Sequence, residues 1–160
     1  MDSEAPSNKH FLFPGALFAD VRDYQVSTVL GSCVSVCLWD TVAHVGGMNH
    51  FMLPLWNGEG LATPRYGNIA MEKLLNKMLS LGCQQKYLEA KVFGGANITG
   101  NHSGNEIFMI GDRNVILANR MLDDYCIPVN ACDVGGHLGR KIIMHTGTGV
   151  VWVGKGKVIA

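Results

Sequence analysis

The chain has 160 residues, 48% of them hydrophobic and 16% charged, a composition that excludes intrinsic disorder and suits one core-forming globule. Thirteen basic residues balance thirteen acidic ones, which argues against a nucleic-acid binder or a polybasic membrane-surface protein. The five cysteines lack framework spacing and fit a reducing cytoplasm, the opening MDSEAPSNKHFLFPG lacks the apolar run of a signal peptide, and no stretch is apolar enough for membrane insertion.

Taken in chain order, residues 1–12 read as a loose arm on a single domain covering 1–160. Short β-branched or aromatic runs predict strands over 26–30, 33–39 and 45–53. Apolar residues at Ile69, Met71, Leu74, Leu75, Met78 and Leu79 predict a helix over 68–81, stopped by Gly82. Strands follow over 87–93 and 106–110. A second helix is expected over 112–125, with Val115, Ala118, Met121 and Leu122 on its apolar stripe and Asp112 as N-cap. Further strands are expected over 127–134, 141–145 and 150–153. The twenty glycines cluster without a fixed period, which excludes a repeat architecture. The expected fold is an α/β layered sandwich: a mixed, largely antiparallel sheet with two main helices on one face.

One segment carries chemistry. Ser27-Thr28-Val29-Leu30-Gly31-Ser32-Cys33 runs a strand into a Gly-Ser turn and sets a thiol beside backbone N–H groups able to bind an oxyanion. Set against that, Cys33 also fits as a small buried hydrophobe, and Cys37, on the same strand face, reads as core. A thiol nucleophile needs a base. Of six histidines His50 is the best placed, ending Gly46-Gly47-Met48-Asn49-His50 on the next strand. Ser27 or Thr28 could orient its ring. The cysteine spacings do not suit zinc, so no metal is expected. Gly135-Gly136-His137-Leu138-Gly139-Arg140 lacks the spacing of a phosphate loop and reads as a turn. Asp112-Arg113-Asn114 reads as a helix start.

These residues resemble a known family. Leu30–Leu38 (LGSCVSVCL), Gly47–Pro54 (GMNHFMLP), Lys91–Ala96 (KVFGGA), Ile110–Asn114 (IGDRN) and the Asp133-Val134-Gly135-Gly136 and Gly139-Arg140-Lys141 blocks resemble the chemoreceptor glutamine deamidases of the CheD family. The resemblance implies an α/β sandwich similar to the catalytic domains of deamidating toxins. It implies a cytoplasmic hydrolase converting glutamines of methyl-accepting chemoreceptor cytoplasmic domains to glutamate, with glutamate methyl-ester hydrolysis as a secondary activity and no cofactor. The family's nucleophile falls on Cys33 and its base on His50. The third catalytic residue falls on Ser27, with Thr28 adjacent and on the other strand face. Ser32, Asn49, Gly94 and Gly95 are the expected substrate-binding positions. A CheC-like phosphatase is implied as regulator, and a non-catalytic binding module acting through it is the alternative function. A generic small-amide thiol hydrolase is a third.

Overall fold

The computed structural model describes residues 8–97 and 109–156. Two β-sheets and a helical layer stack on one another. One sheet holds β1 (Asn8–Phe11), β3 (Tyr24–Leu30), β8 (Gly139–His145) and β9 (Val151–Gly156), in that order. The other holds β2 (Leu17–Asp20), β5 (Val45–Asn49), β4 (Val34–Asp40), β6 (Leu88–Gly94) and β7 (Val129–Val134). Pairing is antiparallel except between β1 and β3 and between β6 and β7. Two helices, α1 (Gly67–Ser80) and α2 (Ile110–Asp124), cover the five-stranded sheet. The α/β sandwich of the sequence stands, with its strands divided between two sheets.

Strand β4 shows why the layers form. Its sequence VSVCLWD is apolar at nearly every position, and all but Trp39 are buried. Val34, Val36 and Leu38 pack with Ala70, Met71, Leu74 and Met78 of α1 and with Ala118 and Leu122 of α2. The alternate residues Cys37 and Trp39 turn toward the four-stranded sheet, where Val26, Leu30, Ile142 and Met144 meet them. A strand buried on both faces carries no polar alternation, since neither face meets water. Each fully buried Leu, Val or Met contributes about 1.5–3 kcal/mol, so the two cores jointly fix the middle sheet.

Several expectations change. The arm expected over residues 1–12 is, from Asn8, the edge strand β1, pairing Asn8 with Tyr24 and Phe11 with Ser27. Leu12 anchors it, fully buried between the sheets with its N–H on the Ser27 carbonyl at 2.8 Å. The strand expected over 45–53 ends at Asn49, and only single bridges at Phe51 and Leu53 continue it. Of the strand expected over 106–110, residues 106–108 lie outside the described residues and Ile110 opens α2. The N-cap of α2 is Met109, in extended backbone and without a side-chain cap. Asp112 lies in the first turn instead, where its charge meets the positive end of the helix dipole.

Candidate active site

Cys33 follows the Gly31-Ser32 turn between β3 and β4, with its side chain at the inter-sheet core. The backbone around it is held from three sides. Val34 and Phe51 exchange N–H to carbonyl bonds at 3.1 and 2.9 Å. The N–H groups of Gly95 and Ala96 donate to the carbonyls of Cys33 and Gly31 at 2.8 and 2.9 Å. From α2, Asn114 Nδ2 donates to the Ser32 carbonyl at 3.1 Å.

The Val34–Phe51 bridge continues the register that sets Cys37 opposite Met48. That register puts Ser35 opposite His50. Cys33, two residues before Ser35, is then the diagonal neighbour of His50 on the same sheet face. His50 is 1% exposed. Its backbone pairs with the chain ahead of β2, through Gly15 N–H to the His50 carbonyl at 2.8 Å and His50 N–H to Ala16 at 3.2 Å.

A hydroxyl from the other sheet reaches the His50 ring. Thr28 Oγ1 lies 2.7 Å from His50 Nδ1 and 2.7 Å from the Leu12 carbonyl oxygen. The carbonyl can only accept, so the single hydroxyl proton goes to Leu12 and the ring must donate through Nδ1–H. That fixes the neutral tautomer with the lone pair on Nε2. Nε2 is buried and has no partner among the described residues, as is Ser35 Oγ across the strand from it. A buried acceptor without a donor costs about 1–3 kcal/mol, an outlay typical of a reactive site.

Burial also sets the protonation states. It pushes the His50 imidazole down to about 4. The Cys33 thiol is pushed up by burial, with its own N–H acting in the opposite direction. The resting pair is therefore a neutral thiol and a neutral imidazole, and Nε2 is free to take a proton.

Among the expected site residues, Cys33 and His50 share a sheet face as diagonal neighbours, and Ser27 lies on the outward face of its strand. Val26, Thr28 and Leu30 point into the inter-sheet core while Ser27 points the other way, so the hydroxyl that reaches His50 is that of Thr28. The strand itself held the signal, because apolar Val26 and Leu30 share parity with Thr28. Asn49 faces the helices rather than a substrate: its Oδ1 accepts from Val36 N–H at 2.8 Å, and Nδ2 meets Met71 Sδ at 3.4 Å. Gly94 and Gly95 are buried under the Cys33 turn instead of lining an opening. Gly94 has φ +107°, and a Cβ there would overlap the Cys33 carbonyl oxygen. Ser32 is half-buried, immediately before Cys33.

Arg140 and Asn114, read in the sequence as turn and helix-start residues, both brace the backbone around Cys33. Arg140 is 2% exposed, pairs with Asp133 at 3.1 Å and donates to the Gly94 carbonyl at 3.2 Å and to the Gly135 carbonyl. It thus ties two glycine turns together. Cys37 is buried core, its thiol pushed up to about 12. Cys83 is buried, and Cys126 and Cys132 are exposed.

Residues 52–155 match the family profile described as CheD chemotactic sensory transduction. The chain belongs to the CheD family. The profile begins just beyond His50, but the likeness to CheD relatives extends over the Cys33–His50 stretch. A protein of Trichlorobacter lovleyi, named probable chemoreceptor glutamine deamidase CheD, is 57% identical over 153 residues, covering 96% of this chain and 94% of its own length. A relative of the same name from Sulfurimonas denitrificans is 43% identical over 143 residues, 89% of this chain and 91% of its own. The probable chemoreceptor glutamine deamidase CheD 1 of Anaeromyxobacter dehalogenans is 46% identical over 143 residues, 89% and 82% of the two chains. Among the described residues of this CheD chain, no helix is long and apolar enough to cross a membrane.

Proposed function

We propose that this protein is a cysteine-dependent amidohydrolase that converts glutamine side chains of chemoreceptor cytoplasmic domains to glutamate. One observation carries the reading. The Leu12–Thr28–His50 hydrogen-bond relay leaves a lone pair on His50 Nε2, buried and unpartnered, on the sheet face that also bears Cys33. The names of the CheD relatives supply the substrate class.

In the proposed cycle Nε2 removes the Cys33 proton as sulfur attacks the carboxamide carbon. The C=O pair moves onto oxygen, which the Cys33 N–H stabilises. As the carbonyl re-forms, the C–N bond breaks and Nε2 returns its proton to the departing nitrogen, releasing ammonia and leaving a thioester. Nε2 then takes a proton from water as hydroxide adds to the thioester. When the carbonyl re-forms the C–S bond breaks and Nε2 gives that proton to the departing sulfur, restoring the thiol and neutral imidazole and leaving a carboxyl that ionises to glutamate. Thr28 accepts from Nδ1–H throughout and holds the ring in the tautomer each proton transfer needs. A glutamate methyl ester enters the same cycle with methanol as leaving group.

The test is incubation with a chemoreceptor cytoplasmic fragment while mass and ammonia are followed. Each converted glutamine adds about one dalton, and Cys33→Ala is expected to abolish conversion. Full conversion by Cys33→Ala would overturn the nucleophile. The proposal places the protein in the cytoplasm, where receptor signalling domains lie and thiols stay reduced. It includes a CheC-like phosphatase as regulator, checked by whether adding that partner changes the rate of ammonia release.

A further inference from the structure

Asn114 lies near the start of α2, fully buried, and its amide reaches two loops at once. Nδ2 donates to the Ser32 carbonyl and to the Met52 carbonyl, both at 3.1 Å. Ser32 immediately precedes Cys33, and Met52 lies two residues beyond His50. Both amide protons are thereby used. Oδ1 of the same side chain is buried without a partner among the described residues. Packing alone would favour leucine here, similar in size and free of the desolvation penalty of an orphaned acceptor.

The peptide plane explains what the amide achieves. The Ser32–Cys33 peptide is trans, so the Ser32 carbonyl and the Cys33 N–H point in opposite directions from one rigid unit. Asn114 draws the carbonyl toward the helical layer. The N–H is then turned toward the opposite face, the one bearing Cys33 Sγ and His50. Its position is consistent with that: it lies against its own sulfur and favours the thiolate. An N–H beside the nucleophile is where the oxygen of a tetrahedral adduct forms.

We infer that Asn114 is a positioning residue, which by clamping the Ser32 carbonyl aims the Cys33 N–H at the developing oxyanion. The inference rests on the thiol-hydrolase reading above and assigns α2 a part in the reaction. An N–H pre-aimed by a buried clamp needs no reorientation when charge builds on oxygen, which is the source of its catalytic value.

The test separates oxyanion stabilisation from thiol reactivity. Iodoacetamide alkylates Cys33 by displacing iodide at a saturated carbon, a step that builds no oxyanion. Deamidation of a chemoreceptor cytoplasmic fragment builds one. In Asn114→Leu, kcat is expected to fall about 50-fold or more, with KM within about threefold, by analogy with loss of one oxyanion donor. Alkylation at pH 8.5 is expected to fall less than about fivefold, the thiol having lost only some stabilisation by its N–H. A kcat loss at least about tenfold greater than the alkylation loss supports the assignment. A smaller ratio, or a kcat within about threefold of the parent, overturns it and leaves Asn114 a packing residue. Asn114→Ala, with the best helix propensity, gives the same ratio if the leucine variant fails to fold. Cys33→Ala run in parallel keeps the two readings apart: its full activity would remove the nucleophile, whereas its inactivity beside an active Asn114→Leu removes only this inference.

Discussion

Thr28 controls which nitrogen of His50 keeps its lone pair, and it does so with one proton. Thr28→Val keeps the shape but leaves Nδ1–H and the Leu12 carbonyl unpaired, so the ring loses its fixed tautomer. We expect kcat to fall about tenfold or more, while Ser27→Ala on the outward face stays within about twofold. A larger loss in Ser27→Ala would restore Ser27 to the site. The buried imidazole also makes stability depend on pH. His50 holds its proton only below about 4 when folded, against 6.5 when exposed in the unfolded chain. Between those values the unfolded state binds more protons, so stability is complete above pH 6.5 and falls as pH drops toward 4, by up to about 1.4 kcal/mol per unit. Urea midpoints measured across that window are expected to fall in the parent and to stay flatter in His50→Gln. Cys33 alkylation is expected to accelerate with its inflection above the ordinary thiol value of about 8.5, because burial raises it. At this scale the placing of Cys33 and His50 on neighbouring strands was legible, since Cys33 follows a Gly-Ser turn and His50 ends the next apolar run. Thr28 over Ser27 turns on strand facing, which Val29 obscured by making the run apolar on both faces.

The elements were legible where burial is one-sided and periodic. The stripes of α1 and α2 follow the 3.6-residue repeat and both helices form within two residues of expectation at each end. Strand β1 was not legible because NKHF alternates half-buried with exposed positions and its register depends on Leu12, outside the strand. The end of α2 offers a test of local backbone preference. Cys126, just past the Tyr125 C-cap, has φ +59° and is exposed, so a left-handed conformation is imposed on a residue with a Cβ. Cys126→Gly is expected to stabilise the fold by about 0.5–1 kcal/mol, the relief of left-handed strain less glycine's added entropy. The opposite end of the helical layer is less tolerant. At Gly67, the first residue of α1, a Cβ would collide with Leu117 of α2 and the Phe51 ring. Gly67→Ala is expected to lower the thermal midpoint by several degrees, at about 1–3 kcal/mol for overpacking, and unchanged melting would show that the helices can separate at little cost.

At the scale of the whole molecule, the sequence indicated how many helices cover the sheet but not that the strands divide in two. That division depends on long-range pairings, such as β3 with β8, which no local pattern encodes. It also spreads the candidate site over two separate hydrogen-bonded bodies. Cys33 and His50 adjoin strands of the five-stranded sheet, but Thr28 belongs to the other sheet, where it stands opposite Ile142. Sliding one sheet over the other would therefore part the Thr28 hydroxyl from the imidazole while leaving intact the strand pairing that sets His50 beside Cys33. The alignment of the layers, rather than any single strand, holds the ring in its tautomer.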